Sequence, residues 1–289
     1  MLHLLRAEGV SLGYDQTSII ANLDLAIMPG AITVIVGANA SGKSTLLKGL
    51  ARLLTPDAGQ VTLGGRNIKT LPGKKVATVV GLLPQQPVAP DGITVADLVG
   101  RGRYPHQGWF RQWSSTDDEI VAAAMAATNT HELAARRLGD LSGGQRQRVW
   151  IAMALAQDPE ILLLDEPTTF LDVTHQIEVL DLLLERNRER CTTVVMVLHD
   201  LNLAARYADH LVVMCAGRIV ANGAPAETLT AEIVRHAFDL EARIVPDPVC
   251  GAPMVVPIGR FHGRVPTVCT EDAPSQAHKN ATNKGRLPL

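Results

Sequence analysis

The sequence predicts an α/β protein built around a buried parallel sheet, on three observations. Hydrophobic residues make up 46% of the 289-residue chain and aromatics only 3%, so the core is largely aliphatic. That composition suits strands covered on both faces, which read as Val/Ile/Leu runs. The β-branched run Ile32-Thr33-Val34-Ile35-Val36 leads into a glycine-rich loop and then into helix-forming Leu46-Leu47-Lys48-Gly49-Leu50. Farther on, Ile161-Leu162-Leu163-Leu164 and Thr193-Val194-Val195-Met196-Val197-Leu198 read as two more buried strands, with a segment of helical period between them.

In chain order, the first thirty residues alternate, with Leu23, Leu25 and Ile27 against Asn22, Asp24 and Ala26. Alternation is the mark of half-buried strands, so an antiparallel β-subdomain is expected at the N-terminus. Pro29-Gly30 supplies a turn into the first buried strand. Residues 87–159 offer helical patterns at Val95 to Gly100, Asp117 to Thr128 and Gly143 to Gln157, without a convincing β-branched run. They read as a helical subdomain inserted between strands of the sheet. Ile177, Leu180, Leu183 and Leu184 share one face of a long helix from about Asp172 to Glu189. A strand from Leu211 to Met214 then turns at Ala216-Gly217 into Ile219-Val220. The expected organisation is one domain over 1–260, its core at about 1–86 and 160–260 and its helical subdomain at about 87–159. A polar tail over 261–289 is expected to be disordered.

Several classes fall away on composition. The formal net charge is -2, without the basic surplus that displaces counterions from nucleic acid. No apolar run approaches the roughly 18 to 20 residues needed to cross a bilayer, and the first residues do not have the pattern of a signal peptide. Cys191, Cys215, Cys250 and Cys269 are far apart, and buried free thiols in a reducing cytosol are expected.

The glycine-rich loop Gly37-Ala38-Asn39-Ala40-Ser41-Gly42-Lys43-Ser44 matches G-x-x-x-x-G-K-[ST] between a strand and a helix. Such a loop turns successive backbone N–H groups onto a phosphate, and the helix dipole adds about half a positive charge there. Lys43 would neutralise the β- and γ-phosphates of ATP, and Ser44, followed by Thr45, would hold Mg²⁺. The buried run 161–164 ends in two carboxylates: Asp165, where a metal-facing acid belongs, and Glu166, at the carboxyl edge of the sheet, where it could polarise an attacking water. Leu141-Ser142-Gly143-Gly144-Gln145-Arg146-Gln147-Arg148 is a second glycine-containing helix start with Ser142 at the N-cap. One ATP needs one phosphate loop, so this second anion-binding helix end calls for another explanation.

Here the sequence resembles the ABC-transporter ATPases, whose signature motif is the LSGGQ found at Leu141 to Gln145. The resemblance implies a P-loop NTPase (RecA-like) core with an N-terminal antiparallel β-subdomain and an inserted α-helical subdomain. It also implies a homodimer, in which Ser142, Gly143, Gly144 and Gln145 of one chain clamp the γ-phosphate of ATP held by the other. Further family elements follow in order. Tyr14 matches the aromatic that stacks on adenine, a core tyrosine being the alternative. Gln85 matches the glutamine that contacts Mg²⁺ and senses the membrane partner, with neighbouring Gln86 the other register. Asp172 matches the aspartate that crosses the dimer interface. His199 matches the switch histidine that hydrogen-bonds the γ-phosphate. One departure is Ala40, where the commonest loop has glycine; at positive φ an alanine would cost about 1–2 kcal/mol. Ala38 stands where proline is frequent.

A free-standing ATPase matches the bacterial importer arrangement, peripheral at the cytoplasmic face of the membrane, with a separate permease and, indirectly, a substrate-binding protein. Arg101-Gly102-Arg103-Tyr104-Pro105-His106-Gln107, Thr168 to Asp172 and Leu198-His199-Asp200-Leu201-Asn202 look like the ferric-siderophore, haem and cobalamin group. Asp247 to Gly259 resembles the C-terminal strands of ferric-siderophore ATPases, so ferric siderophore is the expected cargo, with haem and cobalamin as alternatives. Non-transport ABC ATPases are the rival class. The stretch from Leu46 to Asp140 carries no heptads for a repair-type coiled coil, and the chain holds one ATPase unit where translation factors hold two. Trp109, Phe110 and Trp113 could line a groove for the permease or fill the helical subdomain's own core.

Overall fold

The computed structural model describes residues 3–15, 17–108 and 113–259. The chain divides into a unit spanning Met1–Pro257 and a second, Ile258–Leu289, of which only Ile258 and Gly259 are among the described residues. The 261–289 tail, Trp109, Phe110 and Cys269 therefore lie outside them.

Within the first unit, β1 (Leu5–Tyr14), β2 (Thr17–Ala26) and β3 (Ile32–Gly37) precede α1 (Lys43–Leu50). Strands β4 (Ala58–Leu63) and β5 (Arg66–Asn67), helix α2 (Gly73–Val79) and β6 (Val80–Leu83) follow. The helical stretch holds α3 (Val95–Gly100), α4 (Ser115–Ala127) and α5 (Gly143–Ala156). Next come β7 (Ile161–Asp165), α6 (Val173–Arg190), β8 (Thr193–Val197), α7 (Leu201–Tyr207), β9 (His210–Cys215) and β10 (Arg218–Gly223). The unit closes with α8 (Pro225–Thr228), α9 (Ala231–Phe238) and the hairpin β11 (Ala242–Pro246) and β12 (Pro253–Pro257).

The central sheet has the order β10-β9-β3-β8-β7-β6. From β9 to β6 neighbouring strands run parallel, and β10 is an antiparallel edge. Its middle strands β3, β7 and β8 are buried along their whole length. Because successive side chains face opposite ways, each strand feeds two cores. Val34, Leu162, Leu164 and Met196 pack with the helices α5 and α6. Ile35, Leu163, Val195 and Val212 pack with α1 and with a second, antiparallel sheet of order β2-β1-β4-β5. Each fully buried aliphatic side chain contributes about 1.5–3 kcal/mol, so β7 alone is a strong anchor for the acids at its end. Among the described residues no helix is long and apolar enough to cross a membrane.

Three helices start where local capping dictates. Ser114 and Asp117 form a reciprocal capping box, which starts α4 two residues before the periodicity does. Ser142 and Gln145 do the same for α5, and Asp172 caps α6 through the backbone N–H of His175 at 3.0 Å. The expectation of buried thiols is corrected. Cys191 and Cys250 are exposed and Cys215 half-buried, all three free. Cys191 closes α6 at the surface in the left-handed region, φ 52°, and Cys250 lies in the turn of the last hairpin.

Candidate functional site: an ATP cleft and a separate signature cleft

The loop after β3 is shaped by close packing. A Cβ on Gly37 would lie 2.2 Å from the Met214 carbonyl oxygen and 2.7 Å from Ser41 Oγ, so only glycine fits. Ala40 sits at φ 61° and Gly42 at φ 99°, turning the chain so that α1 starts at Lys43. Lys43 Nζ donates to the carbonyls of Gly37 and Ala38, both at 2.9 Å, and the side chain is buried. Burial draws the Lys43 pKa below its ordinary value, opposed by the charges of Glu166 and Asp165. Ser41 Oγ is buried without a hydrogen-bond partner among the described residues, a free group in a loop built to receive oxygen anions.

Ser44 Oγ donates to Asp165 Oδ1 at 2.9 Å, joining the first turn of α1 to the end of β7. Burial pushes the Asp165 carboxyl up, and the Ser44 hydrogen bond opposes it. These are hard oxygen donors, and one carboxylate beside a hydroxyl suits a magnesium ion whose remaining ligands are phosphates and water. Glu166 follows at φ 56°, a strained backbone that costs about 1–3 kcal/mol and persists where the surroundings over-determine it. Its Oε1 lies 2.7 Å from His199 Nε2, and its Oε2 accepts from Thr169 Oγ1 at 3.1 Å. Burial raises the Glu166 pKa, but hydrogen bonds from His199 and Gln85 outweigh it and hold the carboxyl below its ordinary value. The same hydrogen bonds hold this group as the anion.

Tyr14, Gln85, Glu166, His199 and residues 39–45 line one cleft of about 620 Å³, within the range of a small-molecule site. Tyr14 stands at its rim, 42% exposed, so it is not a core tyrosine; the Lys48 ammonium lies 5.7 Å from its ring centroid. Gln85 is in this cleft, whereas Gln86 lines only a neighbouring groove with Trp150 and Phe170.

Ser142, Gly143, Gly144, Gln145 and Asp172 line a second cleft of about 600 Å³, joined there by Arg148, Phe170 and His175. The two clefts share no lining residue. Hydrogen bonds from the His175 backbone and ring hold the Asp172 carboxyl below its ordinary value. Sequence reasoning missed Thr169, Arg148 and His175; the two last follow their motifs at helical spacing, a signal only once the motif's helix is placed. It also missed Phe170, which is 75% exposed at φ 68°. Trp113 is 44% exposed, its Nε1 donating to Asp118 Oδ1 at 2.6 Å and its ring covering Gly100. It is therefore partly committed to its own subdomain.

A family model described as ABC transporter matches residues 20–169. The chain is 54% identical over 251 residues to the achromobactin transport ATP-binding protein of Dickeya dadantii, covering 87% of this chain and 93% of the relative. It is 52% identical over 256 residues to the ferric enterobactin transport ATP-binding protein of Escherichia coli, covering 89% and 94%. Among solved structures, a dimeric bacterial ABC transporter cassette superposes with a TM-score of 0.69 at 27% identity, over 76% of this chain and 98% of that one.

Proposed function

Since the chain belongs to the ABC transporter family of ATP-binding proteins, we propose that it is the ATP-hydrolysing subunit of an importer for ferric siderophores. It works as a homodimer on the cytoplasmic face of the membrane, beneath a separate permease that receives cargo from a substrate-binding protein. The observation that carries the two-chain reading is the disjointness of the clefts. The phosphate loop and the signature helix each present an anion-binding end, yet no residue lines both clefts. Two chains set head to tail bring each phosphate loop opposite the other chain's signature. The siderophore cargo is supported by the names of relatives above 50% identity.

In this reading Tyr14 stacks on adenine and residues 37–45 wrap the phosphates. Lys43 already holds its ammonium at the loop, and Ser142 to Gln145 of the second chain close on the γ-phosphate. Ser44, Asp165 and Gln85 would hold Mg²⁺, which when bound neutralises the phosphate charge. Glu166 accepts the proton of the attacking water, a role typically worth about 10²–10⁴ in rate. His199, now 2.7 Å from Glu166, is within reach of the γ-phosphate side of the same cleft. Asp172 reaches across the interface, and the helical stretch 87–159 transmits closure to the permease.

The test is uptake of radiolabelled iron, supplied as ferric siderophores, in cells lacking the chain and complemented with wild type or Glu166→Gln. Restoration by wild type alone is expected. Uptake that never depends on the chain overturns the siderophore cargo, and haem and cobalamin are then assayed in the same cells.

A further inference from the structure

Two stretches that mark the subfamily resemblance meet in the fold: Leu198 to Asn202, which carries His199, and the part of the C-terminal strands from Asp247 to Pro257. Leu198 is tied to the central sheet by its N–H to the Ile35 carbonyl at 3.2 Å. His199 follows, then Asp200, whose side chain caps α7 by accepting from the N–H groups of Asn202 and Leu203. Helix α7 is only seven residues long, too short to hold a direction by itself. Its orientation must come from tertiary contacts.

One contact is Tyr207, whose hydroxyl donates to Asp181 on α6 at 2.7 Å. Ala204 and Ala205 are buried in the main core, and the remaining side-chain hydrogen bonds of the helix go to the β11–β12 hairpin, from Asn202 and Arg206, which are one turn apart. Asn202 Oδ1 accepts from the Val255 N–H at 2.7 Å, and its Nδ2 donates to the Val255 carbonyl at 3.3 Å. Arg206 Nη2 donates to Asp247 Oδ2 at 2.6 Å. The other oxygen of Asp247 accepts from the N–H groups of Val249 and Cys250, so one buried carboxylate holds both the hairpin turn and α7. A two-stranded hairpin is marginal alone, and of its strand residues only Ala242 and Val255 are buried. Its order depends on α7, and its clamps add to the core packing of Ala204 and Ala205 in setting the direction of α7.

We propose that the β11–β12 hairpin is a positioning element for His199, with Asn202 and Arg206 as the residues that transmit it; this rests on the catalytic reading of His199 given above. Nothing in the hairpin touches the ATP cleft. It fixes the helix that leaves His199, and with it the placing of the imidazole beside Glu166. A misplacement of about 1 Å in such a group can cost up to about 10²-fold in rate.

The experiment is a double-mutant cycle on the purified full-length chain, read by single-turnover hydrolysis of radiolabelled ATP, with ATP affinity and melting temperature measured alongside. Asn202→Ala is expected to lower the hydrolysis rate about tenfold with ATP affinity changed less than about twofold. In a His199→Ala background the same substitution should lower the rate no further, while its effect on melting temperature persists. Asn202→Asp, nearly isosteric but unable to donate to Val255, and Arg206→Ala should show the same pattern if Asn202→Ala folds poorly. An equal loss in both backgrounds, or a loss confined to ATP affinity, overturns the positioning role. A His199→Ala protein that hydrolyses at the wild-type rate overturns instead the reading of His199 itself.

Discussion

Replacing Ala40 with glycine tests whether the phosphate loop carries backbone strain. Ala40 sits at φ 61° in the turn closed by the Ser41 N–H to the Ala38 carbonyl at 3.2 Å. An L-residue in this region pays about 1–2 kcal/mol, which glycine escapes. Glycine also frees the unfolded chain, which costs about 0.4–1 kcal/mol. The alanine methyl is exposed, so its loss removes no core packing and adds nothing to either side. On central values the strain term wins, and Ala40→Gly should stabilise the chain by about 0.8 kcal/mol, within a span of about 0–1.6. For a domain of this size that is a rise in melting temperature of about 1–4 °C. The directions of the loop N–H groups follow from the φ already adopted, so ATP affinity should change by less than about threefold, or about 0.7 kcal/mol. Denaturant unfolding and titration with a fluorescent nucleotide measure the two quantities. A lower melting temperature would refute the strain argument. Affinity raised by tenfold or more would show that alanine distorts the loop away from its binding shape.

Glu166→Gln should bind ATP and accumulate as a closed dimer while turnover falls about 10²–10⁴-fold; near-normal turnover removes Glu166 from its role as base. Tyr14→Ala should weaken ATP binding by about 1–3 kcal/mol, the worth of one stacked base, with unchanged melting temperature because the ring is exposed; unchanged binding in a nucleotide titration dismisses the stacking role. Arg103→Leu should destabilise by about 3–5 kcal/mol, since it strands Asp117, which is buried and bonded to Arg103 Nε at 2.8 Å; denaturant unfolding reads it. The Arg103 hydrogen bond, against an opposing burial effect, lowers the Asp117 carboxyl from 3.8 to about 2. Its folded pKa lies below its unfolded one, so this contribution is full above about pH 4 and lost as pH falls toward 2; the stability gap between wild type and Arg103→Leu should therefore be full above about pH 4 and narrow as pH falls toward 2.

How much could be read in advance depended on whether the cause was local. β7 and β8 were legible because short unbroken apolar runs, four residues at 161–164 and five at 194–198, read as doubly covered strands. The signature helix was legible because Ser142 and Gln145 cap one another within four residues. The positive φ at Glu166 carries no local mark, since glutamate there is an exception enforced by surrounding structure. Thr169 reaches Glu166 three residues back, yet only the turn between them makes that contact. The clamp between Asn202 and Val255 spans 53 residues, and no periodicity announces a side chain that pairs with a strand so far along. Cys191 was misjudged for a similar reason: composition places thiols inside, whereas a helix end placed this one at the surface.

The separation of the two clefts has a kinetic corollary. If each chain contributes half of each composite site, the isolated protein assembles its sites in a second-order step, and its specific activity falls on dilution. A permease that seats two copies changes the order of that step. Closure becomes intramolecular, at an effective concentration of the two chains set by the spacing of the seats, which for short connections reaches about the millimolar range. On this account the membrane partner does more than receive motion from the ATPase. By holding two half-sites in register it sets how often ATP finds a complete one.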